Sequence, residues 1–397
     1  MNILFFLPVW EPAWQYGGPI QSTYNLCRAL QKHHHHVHIR VITTSFGLSD
    51  WPNSSCNTEI LRSDLLVTYF EAKHSSLFGI QSPKLLSSLS PYFEWADILH
   101  ISAVWHPISI QIQHHAGRYN LPIVHSIRGA LSSYSFSTSP LKKSLYYFLI
   151  ERPYLLKVSA IHLTSSSERQ DSFRHFLRLP HQLSRLVIPN IVMHTPFHSS
   201  QFDRDHFLIA NTLSIEVPTL LICGRLDSKK GLELIPKALS LIDDKSWQLI
   251  IVGADSDGTL QPFLESLSFL SQHHSIRYLG LKTPADLQTI YSSSDLLLMP
   301  SLHENFGNVA LESLNHGCRV LLSHDVGMAD YLSQLPATNT WGAALPHESK
   351  QWAEWIRQWL SEFKKSNRYC PDASFMNIFA EQQIAQQWVG EYLRLLQ

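Results

Sequence analysis

Between Leu296 and Ser323 the chain reads LLLMPSLHENFGNVALESLNHGCRVLLS, and no other stretch limits the possible fold so tightly. Leu296 to Met299 has the length and composition of a strand buried on both faces. A polar loop follows, then a helix with Val309, Leu311 and Leu314 on its apolar side. That helix stops at Gly317, and Arg319 to Leu322 forms a second buried strand. Glu304, Asn305, Phe306 and Gly307 lie in the loop, Asn308 opens the helix, and Glu312 sits about a turn in. Open α/β sheets bind ligands at such a place, where a strand's carboxyl end feeds a helix amino terminus. Backbone N–H groups there favour phosphate or sugar oxygens, and a glycine lets the backbone come close. Two carboxylates beside that end can each grip a vicinal diol.

Upstream, the same alternation recurs. Strands are predicted over Thr219–Cys223, Gln248–Val252 and Ile276–Leu279, with helices over Leu232–Leu241, Leu260–Leu270 and Ala285–Tyr291. This spacing predicts a parallel doubly wound sheet. In LLICGRLDSKKGLELIPKAL, Arg225 and Lys230 flank a strand–loop–helix turn and are spaced to reach one diphosphate, Arg as a fork and Lys as a point charge. Asp255-Ser256-Asp257 spells the DxD of metal-using transferases, but it follows the strand QLIIVG and precedes Gly258, so a loop turn is the better reading.

The first half is built similarly. Asn2–Val9 is a predicted strand, Gly17-Gly18-Pro19 a turn, and Ile20, Tyr24, Cys27 and Leu30 one face of a helix. The turn is neither a P-loop nor GxGxxG, which argues against kinases and dinucleotide enzymes. ADILHI and LPIVHSI are further buried strands, the second carrying His125 and ending at Arg128-Gly129. Ser139–Leu156 has a helical pattern, Ala160–Thr164 a strand pattern, and Ser165-Ser166-Ser167-Glu168 reads as a helix cap. The run His33–His36 with His38 reads as a solvated connection rather than a metal site. Domain boundaries are predicted as 1–192, a linker at 193–217, a second domain at 218–374, and a closing helical stretch at 375–397.

Glu304 and Glu312 in the E-x7-E of SLHENFGNVALESLNHGCRVLLS, with Arg225 and Lys230 in the GRLDSKKG block, resemble the donor site of retaining glycosyltransferases of the GT-B fold, family 4. The variant ENFGNVALE with HGCRVLLS resembles the branch that builds bacterial surface polysaccharides. The resemblance implies an α/β, GT-B architecture: two Rossmann-like domains with parallel sheets facing an interdomain cleft, and a carboxyl-terminal helix crossing back onto the first. It implies a nucleotide-sugar donor, UDP- or GDP-linked, as co-substrate, with no cofactor and no metal. The acceptor it implies is a glycan or polyprenyl-linked oligosaccharide. Glu304 would hold the transferred sugar or support its oxocarbenium-like state, and Glu312 the ribose hydroxyls. Phe306, Gly307 and Asn308 would offer N–H groups. Gly18 falls in the family's first loop, under the donor phosphates or beside the acceptor. Related enzymes often place a His near the tip after LPIVHSI; here Arg128 and His125 are both candidates for that catalytic place. A non-catalytic nucleotide-sugar-binding or membrane-docking protein on the same scaffold is the alternative from another class.

With 397 residues, 44% hydrophobic and 16% charged, the chain has ample material for two cores. No run reaches the ~20 apolar residues of a membrane span, and MNILFFLPVWEP reads as a first strand rather than a signal peptide. Five cysteines without a CxxC pair predict reduced thiols in a cytoplasmic protein. The net charge of −1 hides an asymmetry: residues 1–190 carry 16 Lys and Arg against 10 Asp and Glu, or +6, and the remainder 15 against 22, or −7. Most of the excess lies in residues 118–185, interleaved with Tyr146, Tyr147, Phe148, Tyr154, Phe173 and Phe176. Such a face suits an anionic membrane surface, here the inner face of the plasma membrane. No nucleic-acid motif accompanies the charge.

Overall fold

Short apolar runs buried along their whole length, such as Leu296–Met299 and Ile98–Ile101, form the middles of two sheets. The computed structural model describes residues 1–48, 56–75, 79–175, 183–192, 201–242, 244–335, 341–363 and 373–397. The chain divides into one unit of Met1–Met193 with Ile378–Gln397 and a second of His194–Asn377.

In the first unit the described strands are β1 (Asn2–Phe6), β2 (His38–Thr44), β3 (Glu59–Arg62), β4 (Leu65–Phe70), a separate hairpin of β5 (Lys73–Ser75) and β6 (Gly79–Gln81), β7 (Ile98–Ile101), β8 (Ile123–Ser126), β9 (Ala160–Leu163) and β10 (Ser184–Val187). Apart from the hairpin they form one sheet in the order β10-β9-β8-β7-β1-β2-β4-β3, parallel except where β3 pairs with β4. Successive residues of β1 point to opposite faces. Phe5 therefore packs with Leu26, Leu30, Trp388 and Tyr392, while Leu4 and Phe6 pack with Ile112, Phe136 and Tyr147.

The predicted closing helix is two pieces, Ala373–Asn377 and Glu381–Leu395. They are separated where Phe379 is buried and its carbonyl accepts from the Val192 N–H at 3.1 Å. The second piece packs into the first unit's core through Ile384, Trp388 and Tyr392. Its amino end is fastened by Glu381, which takes Lys32 at 2.8 Å and His33 at 3.3 Å from the last turn of helix Gly18–His33. Cations at one helix's carboxyl end and an acid at another's amino end each suit the local dipole. The histidine run thus leaves the helix at His33, connects through His34–His36 and enters β2 at His38, with His35, His36 and His38 exposed, as expected of a solvated connection. Among the described residues no cluster of His, Cys, Asp or Glu is arranged to hold a metal.

In the second unit β11 (Thr219–Cys223), β12 (Gln248–Val252), β13 (Ser275–Tyr278), β14 (Leu296–Met299), β15 (Arg319–Ser323) and β16 (Gly342–Leu345) make a fully parallel sheet in the order β13-β12-β11-β14-β15-β16. The segment expected to be a linker holds a helix, Gln201–Ala210; residues 193–200 lie outside the described ones. Its anchor is electrostatic: Arg204, 3% exposed, reaches Asp295 at 2.8 Å, and the same carboxylate accepts from the Thr219 N–H at 2.8 Å. Apolar periodicity does not register a helix held by a buried ion pair.

Four cysteines, Cys27, Cys56, Cys223 and Cys318, are buried free thiols; Cys370 lies outside the described residues. No described helix is long and apolar enough to cross a membrane.

Candidate active site

The strand order of the second unit reverses between β11 and β14, with β12 beyond the one and β15 beyond the other. Such a switch point opens a crevice at the carboxyl ends of the strands. After β11 the chain runs through Gly224, Arg225, Leu226 and Asp227 into the turn Ser228–Lys230. This loop is pinned on the one after β12: the Gly224 N–H donates to the Val252 carbonyl at 3.1 Å and Leu226 to Ala254 at 2.9 Å. At Gly253 the approach is so close that a Cβ would stand 1.8 Å from the Gly224 oxygen.

After β14 the loop is held by a second set of bonds. The Glu304 N–H donates to the Asp325 carbonyl at 2.8 Å, Gly327 to the Glu304 carbonyl at 2.9 Å, and Met328 to that of Phe306 at 2.7 Å. Gly307, at φ 95°, opens helix Asn308–Asn315; a side chain there would be strained, and its Cβ would meet Val326 Cγ1 at 2.7 Å. Phe306 is 1% exposed, so its ring is core.

These two fastened loops bring Lys230 Nζ to 2.5 Å from Glu304 Oε1, and each side chain is 15% exposed. Burial works to raise the Glu304 pKa, but the charges of Lys230 and Lys229 and the Lys230 hydrogen bond outweigh it, and the carboxyl ends below its usual range. A fixed cation beside an ionised carboxylate can meet phosphate oxygens with one group and sugar hydroxyls with the other.

Glu312 sits in a different environment. Its Oε2 accepts from the Tyr291 hydroxyl at 2.8 Å, and burial pushes its pKa up to about 7. The Tyr291 oxygen also lies 3.7 Å from Cys223 Sγ, a buried thiol whose titration feels both Glu312 and Lys230. Glu312 therefore belongs to the same neighbourhood as Lys230. The sign of its linkage is opposite to that of a salt-bridged acid. With a folded pKa raised above the ordinary 4.5, its burial costs stability as pH rises from about 4.5 through 7 and costs nothing below. Glu312→Gln is expected to gain about 1–2 kcal/mol in urea unfolding at pH ~8 and nothing at pH ~4, a discount on the full shift for partial exposure. Equal stability of the two proteins at both pH values would contradict the buried-acid assignment.

Arg225 shares the loop with Lys230 but points away from Glu304: its Nε donates to Asp227 at 2.9 Å and its side chain is 56% exposed. The Asp255-Ser256-Asp257 stretch is a turn. Asp255 accepts from the Gly258 N–H at 2.9 Å, and Asp257 accepts from Ser228 N–H at 2.9 Å and from Thr259. The hydrogen bonds from Thr259 and then Ser228 hold Asp257 down at about 2. The Asp257 carboxylate thus fastens the loop that carries Lys230, and that of Asp255 closes its own turn.

In the first unit, Arg128 follows β8 at φ 53°. Its guanidinium donates to Ser102 Oγ at 3.2 Å, Asn190 Oδ1 at 2.9 Å and Thr23 Oγ1 at 3.2 Å, and burial lowers its pKa to about 10. Glu168, expected either as part of a cap or, in TSSSE, as a strand end resembling one of the family, takes the N–H groups of Gly129 and Thr164, while Ser165 Oγ accepts from the Glu168 N–H at 3.0 Å. His125 lies inside the sheet, 2% exposed, with Nε2 2.8 Å from the Ala103 carbonyl. Burial brings its pKa to about 4, so it is neutral at pH 7. This is the core placement of the two that its sequence position allowed. Gly18 is the exposed first residue of helix Gly18–His33; Gly17, at φ 96°, makes the turn before it.

Tyr291, Thr23 and Ser102 were not foreseen, because none belongs to a motif; Asn190 stands in VIPN, which resembles the family's short strand before the hinge, but its contact with Arg128 was not foreseen. The one signal available was that Arg128-Gly129 leaves a strand end and a buried arginine there needs acceptors.

The sequence matches two family models in turn. Residues 17–190 match the glycosyl transferase 4-like domain and residues 207–373 match glycosyl transferases group 1. The chain is made of these two glycosyltransferase domains. It is 23% identical over 220 residues to a D-inositol 3-phosphate glycosyltransferase of Corynebacterium diphtheriae, covering 53% of this chain and 51% of that one. It is 28% identical over 128 residues to glycogen synthase 2 of Methylococcus capsulatus, covering 32% and 26%. The chain thus spans about half or less of the length of these curated glycosyltransferases. Among solved structures, sucrose-phosphate synthase of Thermosynechococcus elongatus superposes with TM-score 0.72 at 19% identity, over 99% of this chain and 98% of that one. Anabaena HepE, solved with UDP and glucose, gives 0.73 at 18%, over 99% of each. These likenesses establish the GT-B fold.

Proposed function

We propose that this GT-B glycosyltransferase moves a sugar from a nucleotide-sugar donor to a glycan or lipid-linked oligosaccharide acceptor, with retention of anomeric configuration, in bacterial surface-polysaccharide biosynthesis on the cytoplasmic side of the membrane. The observation that carries the reading is the Lys230–Glu304 pair at the switch point of the second sheet, at 2.5 Å. The glycosidic bond to the diphosphate breaks as the acceptor hydroxyl oxygen bonds to the anomeric carbon. Negative charge grows on the departing diphosphate, and Lys230, with Arg225 swinging from its exposed position, neutralises it. Glu304 holds the transferred sugar, Glu312 the ribose hydroxyls, and the backbone at Phe306, Gly307 and Asn308 the sugar and phosphate oxygens. Arg128 takes the catalytic place in the first unit that the resembled family often fills with His, and Gly18 stands in the first loop. His125, neutral and interior, supports β8 instead.

Retained E-x7-E and GRLDSKKG residues favour this over a non-catalytic nucleotide-sugar-binding protein on the same scaffold. The UDP of the Anabaena relative favours UDP as the carrier, with GDP the alternative. Calorimetric titration with UDP, GDP and ADP, with and without EDTA, tests the donor site. Saturable binding of one diphosphate that survives EDTA is expected; no binding of any of them would overturn the reading.

A further inference from the structure

The basic stretch of the first unit contains a surface that its sequence describes only in part. Residues 140–155 form helix Pro140–Tyr146, one π turn at Tyr147–Glu151, and helix Arg152–Leu155. Tyr147 and Leu155 are fully buried and Glu151 is 2% exposed, its Oε1 accepting from the Trp105 N–H at 2.8 Å. Of the aromatic side chains that marked this face, Tyr147 is buried, Tyr146 and Tyr154 are half-buried and Phe148 is exposed; those of Phe173 and Phe176 lie outside the described ones. What faces outward is mostly aliphatic. Leu141 is 87% exposed, Leu145 63%, Phe148 54% and Leu149 65%, with Ile150 and Leu156 beside them. The wider π turn leaves three consecutive large apolar side chains, Phe148 to Ile150, outside the core. Exposed apolar side chains this concentrated mark an interaction surface.

Charge identifies the partner. Between Ser133 and Ala160 the only acid is Glu151, and it is buried, so every exposed charge is a cation: Lys142, Arg152 and Lys157, with Lys143 turned back to the Thr138 hydroxyl at 2.7 Å. A protein interface depletes its core of lysine, whereas an interfacial lipid-binding segment combines an apolar face with flanking Lys and Arg. We infer that this segment docks on an anionic lipid bilayer, with Leu141, Leu145, Phe148 and Leu149 entering the acyl boundary and Lys142, Arg152 and Lys157 meeting the headgroups. Long cationic side chains reach outward while their stems stay in apolar surroundings. The inference deepens the proposed function, and rests on it, in naming where a lipid-linked acceptor is met.

The full chain is tested by co-sedimentation with vesicles of phosphatidylcholine containing one-third phosphatidylglycerol, and with phosphatidylcholine alone. Binding to the mixed vesicles is expected to be at least tenfold tighter. Leu145→Ser/Leu149→Ser, at exposed positions, is expected to lose about tenfold or more. Lys142→Glu/Lys157→Glu is expected to remove the preference for the anionic lipid. UDP affinity measured on the same preparations should be unchanged, which separates this inference from the donor-site reading: vesicle binding without UDP binding would leave the docking surface standing and remove the transferase. Wild-type protein that ignores the mixed vesicles, or leucine variants that bind them equally well, would overturn the inference. So would a wild-type dimer that the leucine variant dissolves, because a second copy would then cover the face.

Discussion

Glu304→Ala is expected to lower kcat by about 10^3-fold or more, with the fold intact by circular dichroism. The carboxylate sits 2.5 Å from Lys230 and its backbone is bonded on both sides to residues 325–327, so the side chain can be removed without releasing the loop. Glu304→Gln separates charge from hydrogen bonding, because the amide oxygen still accepts from Lys230. If charge matters, Gln loses nearly as much rate as Ala; if only the hydrogen bond matters, Gln retains most of it. Near-normal turnover in the Ala variant, measured as donor consumption with acceptor present, would sink the assignment. Glu304 is held ionised below the usual carboxylate range despite its burial, because Lys230 and Lys229 outweigh that burial. The fall in rate that Glu304 contributes should therefore appear only on the acid side of that range, well below the titration of Glu312 at about 7.

Lys230→Ala is expected to weaken nucleoside diphosphate binding by about 10- to 100-fold, the loss of one charge-assisted contact of 1.5–3 kcal/mol. The substitution also leaves the Glu304 carboxylate, 15% exposed, without its cation. Removing one partner of a buried pair costs more than the pair contributes, so a lower Tm should accompany the weaker binding. Lys230→Ala/Glu304→Ala should recover part of the Tm and none of the affinity. Unchanged calorimetric affinity for the diphosphate in Lys230→Ala would contradict the phosphate role.

How much of this could be read from the chain depends on what held each element. Thr219–Cys223, Gln248–Val252 and Leu296–Met299 are strands with the predicted boundaries, because runs buried on both faces carry an unbroken apolar signal. Helix Gln201–Ala210 was missed because Arg204 and Asp295 anchor it. Edge strand β3, half exposed and antiparallel, lacks that signal too. At the candidate site, Lys230 and Glu304 could be named from spacing and resemblance, but their contact spans 74 positions and depends on β11 lying beside β14. Sheet order is not written in local periodicity. Glu312 was legible as a carboxylate but not as one bonded to Tyr291 and titrating near 7, since burial and partner both come from a helix 21 residues upstream. Asp255 and Asp257 read correctly as a turn because Gly258 follows them.

The last helix has a consequence for how the chain acquires its structure during synthesis. Trp388 and Tyr392 lie among Phe5, Leu26 and Leu30, and the Tyr392 hydroxyl stands 2.6 Å from His100 Nδ1, 292 positions away. Met1–Met193 is thus translated before the second unit, yet the first unit is finished only after it. Until the final turn emerges, its sheet has an uncovered face where Trp388 belongs. His194–Asn377, continuous in sequence, has all its strands in hand before then. Domains fold as units when their residues are available. The nascent order of completion is therefore the reverse of the order of translation, and translation that halts before Glu381 leaves an unfinished first domain attached to a complete second one.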